Sequence, residues 1–268
     1  MTEGLRATIL GCGPSHGVPR LGPDWGACDP AEPRNRRSRC ALLVERFGTD
    51  GGRPTRVLVD TGPDMRTQLL SARVDHLDAV LYTHAHADHT HGIDDLRGFW
   101  LGDKRRIDVH ADDATMARLV EAFRYCFETP PGSSYPPILN RHRVVAGTPL
   151  TVNGAGGPVT VLPFRQVHGD IESMGYRFGG LACSADISAV PPESLGAISG
   201  LDVWIVDALR HSFHPSHFSV AQSLAWIERV RPRRAILTHM HSDLDYRTLA
   251  AALPAGVEPA FDGMQVAF

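Results

Sequence analysis

Four histidines and one aspartate fall within the eleven residues 82–92, YTHAHADHTHG. Imidazole changes charge near neutral pH and is the commonest nitrogen ligand for metals. Crowding several such rings beside a carboxylate costs free energy unless they share a cation that holds the rings neutral and the carboxylate ionised. The spacing His84-x-His86-x-Asp88-His89 supports that reading. If AVLYT at 79–83 is a strand, His84 and His86 leave its end pointing the same way, by the period of two. Asp88 and His89 then follow as the chain turns towards a helix. Three imidazoles and a carboxylate suit zinc, manganese or iron. They need not serve one ion, since two from the strand end and two from the turn could hold neighbouring ions. His91, alone beyond the motif, reads as a partly exposed loop residue.

One loop cannot complete such a site, so other elements must bring further ligands to it. Short apolar runs bounded by Gly, Pro and Asp recur at 7–10, 40–47, 56–60, 79–84 and 106–111, and again at 159–164, 176–186, 201–208, 234–240 and 264–268. Their length and β-branched content predict strands. Apolar spacing at i, i+3 and i+4 predicts helices at 64–72, 113–127 and 219–230, the last with Ser219 as N-cap and Pro232 closing it. Strands dominate, with helices in both halves, which makes the class α/β or α+β. Only a Pro- and Gly-rich loop at 129–137 interrupts the pattern, so residues 1–268 read as a single domain. YTHAHAD at 82–88 is echoed by LTHMHSD at 237–243, each ending an apolar strand. That echo would bring two strand ends to one sheet edge, where ligands of α/β proteins commonly bind.

The totals exclude several classes. The chain has 268 residues, 43% hydrophobic, enough for a core. A formal charge of −3 gives no whole-protein reason to expect a membrane or a stable nucleic-acid partner. The basic runs Arg34–Arg39, Lys104–Arg106 and Arg231–Arg234 read as solvated surface. A phosphate substrate would give the first of them, or Arg97, a second use as a guanidinium clamp. The five cysteines are scattered and form no CxxC pair, as in a reducing compartment. No signal-peptide pattern opens the chain, and no stretch approaches the ~20 apolar residues of a membrane span. A cytoplasmic location is expected. Histidine, at 14 copies, is the outlier.

The HxHxDH motif after a strand resembles the signature of the metallo-β-lactamase superfamily. The family's other ligands have counterparts in order: His168 in VLPFRQVHG, Asp186 in ACSADIS and His239 in AILTHM. VLVDTGPDMR resembles the Asp-x-Gly segment in which Asp60 would support the metal loop from behind. The resemblance runs from about residue 7 to the C-terminus. It implies a four-layer αββα sandwich with two divalent ions at one edge. One would be held by His84, His86 and His168, the other by Asp88, His89 and His239, with Asp186 bridging. Zinc or manganese fits these ligands, and iron also. His241 and Asp243 have no ligand role in that pattern and belong to the rim.

Two such ions would acidify a bridging water and clamp both ends of a displacement, so the resemblance implies a hydrolase without naming the substrate. TILGCGPSHGVPRLG, NRRSRCALLV and HGIDDLRGF resemble one branch, the cyclic-phosphate phosphodiesterases of phosphonate breakdown, relatives of the tRNA 3′-processing endonucleases. In LRHSFHPSHFSVAQSL, His217 matches a histidine that contacts the phosphate there and would act as general acid, with His211 and His214 as competitors. That branch carries a structural zinc on closely spaced cysteines near the N-terminus. The matching stretch, LGPDWGACDP, keeps only Cys28 and cannot close such a site. A small cyclic phosphate or nucleotide-like phosphodiester is the expected substrate. The alternatives are a thioester or lactone, or trimming of short oligonucleotides; a site retained for regulation without turnover would not need every ligand. Ser15 and His16 could reach a phosphate or merely pack beside the site. The sequence is compatible with a homodimer.

Overall fold

The structure, a computed structural model, describes residues 4–49 and 51–268. Residues 1–3, part of the N-terminal stretch expected to carry no signal peptide, lie outside them. The first half of the chain forms β1 (Gly4–Gly11), β2 (Ala41–Phe47), β3 (Thr55–Val59), α1 (Met65–Ser71), β4 (Ala79–Leu81), α2 (Ala87–Thr90), α3 (Arg97–Asp103), β5 (Ile107–Ala111) and α4 (Asp113–Phe127). There follow β6 (Leu139–Arg143), β7 (Leu150–Val152), β8 (Val159–His168), β9 (Ile171–Phe178), β10 (Leu181–Ser184), β11 (Val203–Asp207), α5 (Val220–Val230), β12 (Arg234–Thr238), α6 (Tyr246–Ala252), β13 (Val257–Pro259) and β14 (Met264–Ala267). Every strand run and helix expected from the sequence is present. The 176–186 run is a hairpin rather than one strand: Gly179, at φ 56°, turns the end of β9 into β10.

The strands form two seven-stranded sheets, in the orders β14-β1-β2-β3-β4-β5-β6 and β13-β12-β11-β10-β9-β8-β7. Alternation along the first sheet explains how it is covered on both faces. Ala7, Ile9, Leu42, Val44, Val57, Val59, Ala79 and Leu81 face inward, in one cluster with Val161, Tyr176, Phe178, Leu181 and Ile205 of the second sheet. Their neighbours Leu10, Leu43, Leu58, Val80 and Tyr82 face outward, onto Met65 and Leu69 of α1 and Leu119 of α4. On the other side Leu224, Ile227 and Val230 of α5 and Leu249 of α6 pack against the cluster that includes the second sheet. Helix start signals operate as expected: Ser219 and Gln222 make a reciprocal capping box for α5, and Asp112 caps α4. The layers run helix, sheet, sheet, helix, the αββα sandwich.

Strands β3 to β6 are mutually parallel, as are β10 to β13. Their carboxyl ends therefore emerge together, which is what places Asp60, His84, Asp186, Asp207 and His239 at a common edge. No helix among the described residues is long and apolar enough to cross a membrane.

Candidate metal centre

The metal-motif loop is built by two turns that interlock. After β3 the chain carries Asp60 and Gly62, and after β4 it carries Thr83, His84 and the short α2. Thr61 N–H donates to the His89 carbonyl (2.8 Å) and Gly92 N–H to that of Thr61 (2.7 Å). Such approach needs glycine: a Cβ on Gly62 would lie 2.2 Å from the Asp88 carbonyl oxygen, and one on Gly92 2.3 Å from that of Gly62. His168 ends β8. Asp186, Asp207 and His239 leave β10, β11 and β12. Asp60, Asp186 and His239 all have left-handed backbones (φ 65°, 51° and 58°). Non-glycine residues hold such conformations where surrounding structure imposes them, often at functional sites.

The side chains converge in two groups that share one carboxylate. His84, His86, His168 and Asp186 form the first, Asp88, His89, Asp186 and His239 the second. Within the first, His84 Nε2 and His168 Nε2 lie 3.8 and 3.7 Å from Asp186 Oδ2, and His168 Nε2 lies 3.3 Å from His86 Nδ1. Within the second, His89 Nε2 and His239 Nε2 are each 3.3 Å from the other oxygen, Asp186 Oδ1, and Asp88 Oδ2 is 3.4 Å from His89 Nε2. One carboxylate thus turns one oxygen to each set.

The hydrogen bonds leave the converging nitrogens free to coordinate. Asp60 accepts from Thr83 N–H and Thr83 Oγ1–H (2.8 Å each), and from His89 Nδ1–H (2.7 Å). Thr83 Oγ1, having donated to Asp60, accepts from His84 Nδ1–H at 3.0 Å. His168 Nδ1–H donates to the Ser216 carbonyl at 2.7 Å. In each ring the proton is drawn to Nδ1 and the Nε2 lone pair faces inward, the tautomer a metal ligand needs. His84 Nε2, His89 Nε2, His239 Nε2 and Asp186 Oδ1 are buried with no hydrogen-bond partner. Unpartnered buried polar atoms are rare because each forfeits its hydration; here they point at one another, as a ligand shell does.

Electrostatics agree. Burial pushes His84 and His168 below the usual imidazole range and His239 down to about 3, so these rings are neutral. His89 goes the other way: burial opposes its charge, but Asp186, Asp60 and Asp88 outweigh burial and hold it well above that range. The buried carboxylates thus demand positive charge. Taking each from water costs several kcal/mol, order of magnitude, unless compensated. A divalent cation answers the demand and fits the donor set of imidazole nitrogens and carboxylate oxygens.

A third group adjoins the second. His217 stacks on His239 with centroids 4.6 Å apart, and its Nδ1–H donates to Asp207 at 2.8 Å. Asp207 is fully buried and accepts Ile187 N–H at 3.1 Å. Burial pushes Asp207 up to about 7. Burial alone would lower His217, but the hydrogen bond to Asp207 reverses the sign and holds it up. The pair therefore retains a proton beside the second donor set. Sequence reasoning missed Asp207; the available signal was an aspartate ending an apolar strand, in VWIVD.

The remaining candidates lie outside these groups. His214 stands 5.1 Å from the His217 ring, its Nδ1 beside the Ser216 hydroxyl (3.1 Å). His91 packs on Phe123, and Arg97 is engaged by Asp94 at 2.8 Å. His241 pairs with Asp243 and meets the His16 ring edge-on at 4.9 Å; neither histidine belongs to a donor group, and Ser15 is exposed. In the basic runs, Arg34 pairs with Glu32, Arg105 with Asp78, Arg233 with Asp202 and Arg234 with Glu258. Arg37 corrects the expectation of a solvated surface run: it is 1% exposed. Its guanidinium fills the space near Cys28, 4.0 Å from the sulfur.

Asp60 yields a sharp prediction. Its two oxygens accept from three donors, and an asparagine could accept on one side only. Asp60→Asn leaves either Thr83 N–H or His89 Nδ1–H facing an amide N–H, so the turn loses its anchor in one orientation and His89 the bond that fixes its tautomer in the other. Divalent-metal affinity should fall about 10–100-fold, the usual range for such supporting partners. A metal titration monitored by calorimetry measures it, and unchanged affinity would refute the role.

Residues 55–240 match the family model described as a beta-lactamase superfamily domain. The chain is 34% identical to a diphosphatase from the PhnP family, with a TM-score of 0.87 over 98% of this chain and 97% of the other. The short form of human tRNase Z shares the fold, with a TM-score of 0.65 at 17% identity over 97% and 98% of the two chains. Among curated proteins, an octanoyltransferase of Porphyromonas gingivalis is 32% identical over 267 residues, 97% of this chain but 51% of that protein. The chain therefore spans about half the length of the curated relative it matches.

Proposed function

Because the chain belongs to the beta-lactamase superfamily, we propose that this metal-dependent hydrolase is dinuclear and cleaves small phosphodiesters, such as a cyclic phosphate or a nucleotide-like ester. The observation that carries the reading is the division of Asp186: Oδ2 faces the set of His84, His86 and His168, and Oδ1 the set of Asp88, His89 and His239. Two divalent ions held there, manganese or zinc with iron as a third candidate, supply an acidified water and neutralise charge on the phosphoryl oxygens. Asp88 and Asp186 serve the reaction by fixing those cations beside the phosphate.

His217 supports the choice of a phosphodiester. When the phosphorus–oxygen bond to the leaving group breaks, the departing alkoxide needs a proton, and His217 Nε2 can give it. Asp207, on Nδ1, orients the ring and stabilises the imidazolium before the transfer, as an aspartate does behind a catalytic histidine elsewhere. The name of the diphosphatase relative widens the substrate class to diphosphate esters. A thioester, whose thiolate departs without a proton, would leave the Asp207–His217 pair without this task. Acyl transfer is not proposed either: all five cysteines are buried and none joins the donor groups. Oligonucleotide trimming would need the basic runs to form one continuous cationic surface; Arg34, Arg105, Arg233 and Arg234 are instead paired with neighbouring acids, and Arg37 is buried.

The test is turnover by metal-stripped protein resupplied with manganese or zinc. The panel is bis(p-nitrophenyl) phosphate, 2′,3′-cyclic nucleotides and a dinucleoside diphosphate, with a thioester and a lactone in parallel. Metal-dependent phosphoester cleavage with silent controls is expected. Thioester or lactone turnover alone would move the chain elsewhere in the superfamily, and thioester turnover would leave His217 without its proton-donating role.

A further inference from the structure

Arg37 is a fully buried guanidinium whose hydrogen bonds, besides a long one to Cys28 Sγ (4.0 Å), go to uncharged oxygens. Nη1 donates to the carbonyls of Met240 (3.4 Å) and His241 (3.1 Å). Nη2 donates to the carbonyl of Leu244 (2.6 Å) and to Asn35 Oδ1 (3.2 Å). No carboxylate pairs with it among the described residues. Burying a cation this way is expensive unless fixed dipoles compensate. Every backbone dipole that does so comes from the five residues after His239.

Those residues are gripped from other sides as well. Met240 N–H donates to the Cys12 carbonyl (2.9 Å), His241 N–H to that of Leu209 (2.8 Å), and Ala27 N–H to that of Ser242 (2.9 Å). Asn35 donates to Asp245 (2.7 Å) and accepts Tyr246 N–H (2.8 Å). Arg37 is paired through its own backbone with Val18 in both directions (2.8 and 2.9 Å). It sits where the loops at 12–19, 24–37 and 240–246 meet. His239, immediately before the clamped segment, has the left-handed backbone (φ 58°) that needs an external hold.

We infer that Arg37 is the positioning residue of the second donor set. Its fork draws the carbonyls of 240–244 inward, which keeps His239 in its left-handed conformation with Nε2 at 3.3 Å from Asp186. The cation held by Asp88, His89, Asp186 and His239 depends on it. The cation held by His84, His86 and His168 does not, because those rings are carried by β4 and β8. The inference rests on the reading of the cluster as a dinuclear metal centre.

The experiment compares the full chain with its Arg37→Met and Arg37→Lys variants. Each is stripped of metal and titrated with Mn2+ or Zn2+; bound metal is counted after gel filtration and thermal unfolding is followed at each step. The parent takes two equivalents. The folded Met variant should bind the first with parental affinity and the second at least tenfold more weakly. The second equivalent should also lose its effect on Tm, since only a ligand that binds the native state stabilises it. The Lys variant keeps the charge without the planar fork and falls between. Two tightly bound equivalents in the Met variant, equal weakening of both, or failure of both variants to fold would each overturn the inference. A parent that binds fewer than two equivalents would instead overturn the dinuclear reading, and the inference with it.

Discussion

Asp186→Asn removes turnover and bound metal together, because one carboxylate serves both donor sets. Without it His84, His86 and His168 remain on one side and Asp88, His89 and His239 on the other, with no shared carboxylate to offset the repulsion between the two dications proposed there. Asparagine is the informative replacement. It keeps the shape and tolerates the left-handed backbone that Asp186 adopts (φ 51°). Alanine would lose the function equally but add backbone strain. The expected loss of turnover exceeds the roughly 100-fold typical of a supporting partner, and bound metal should drop below one equivalent per chain in a weak chelator. Metal analysis and rate measurement on the same sample check both halves. A variant that kept both ions would show that Asp186 does not bridge.

His217→Ala separates the proton from the metals. It removes the ring that Asp207 orients but none of the atoms in the two donor sets, so bound metal should stay at the parental level. Turnover of a cyclic nucleotide, whose leaving alkoxide is strongly basic, should fall by about 10²–10⁴-fold, the usual worth of a positioned acid. Turnover of bis(p-nitrophenyl) phosphate should fall far less, because p-nitrophenolate departs without a proton. That dependence on leaving group is the signature: an equal loss on both substrates would make His217 a binding residue, and no loss on the cyclic nucleotide would remove it from the reaction.

Much of this was legible in the sequence where the physics is local. Strands buried on both faces, such as RVLVD and AVLYT, show as apolar runs, and the HxHxDH spacing follows directly from a strand entering a turn. The unforeseen strands lie on the sheet margins. β6 reads LNRHR, with Leu139 its only buried residue, and β7 and β13 are three residues long. An edge strand needs one partner and little apolar surface, so its pattern is faint. Helix α3, RGFWLGD, buries none of its residues and so carries no apolar stripe to read.

Within the site, the HxHxDH stretch was legible from its spacing, and the division of the ligands into two sets came from the superfamily resemblance. What stayed hidden depends on long-range pairing. Asp207 gains its meaning only when β11 places it under His217, ten residues later. Arg37 sits among four arginines of the same run, and nothing local distinguishes the buried one from Arg34, Arg36 and Arg39, which remain at least partly exposed. Its burial is decided by a segment two hundred residues away.

The central claim is that two cations share Asp186, and metal stoichiometry tests it most directly. Metal-free protein is titrated with Mn2+ or Zn2+ while bound metal and phosphodiester turnover are recorded at each step. Two equivalents per chain are expected, with turnover rising as the second is filled. Saturation at one equivalent with full turnover, or no uptake at all, would contradict the claim.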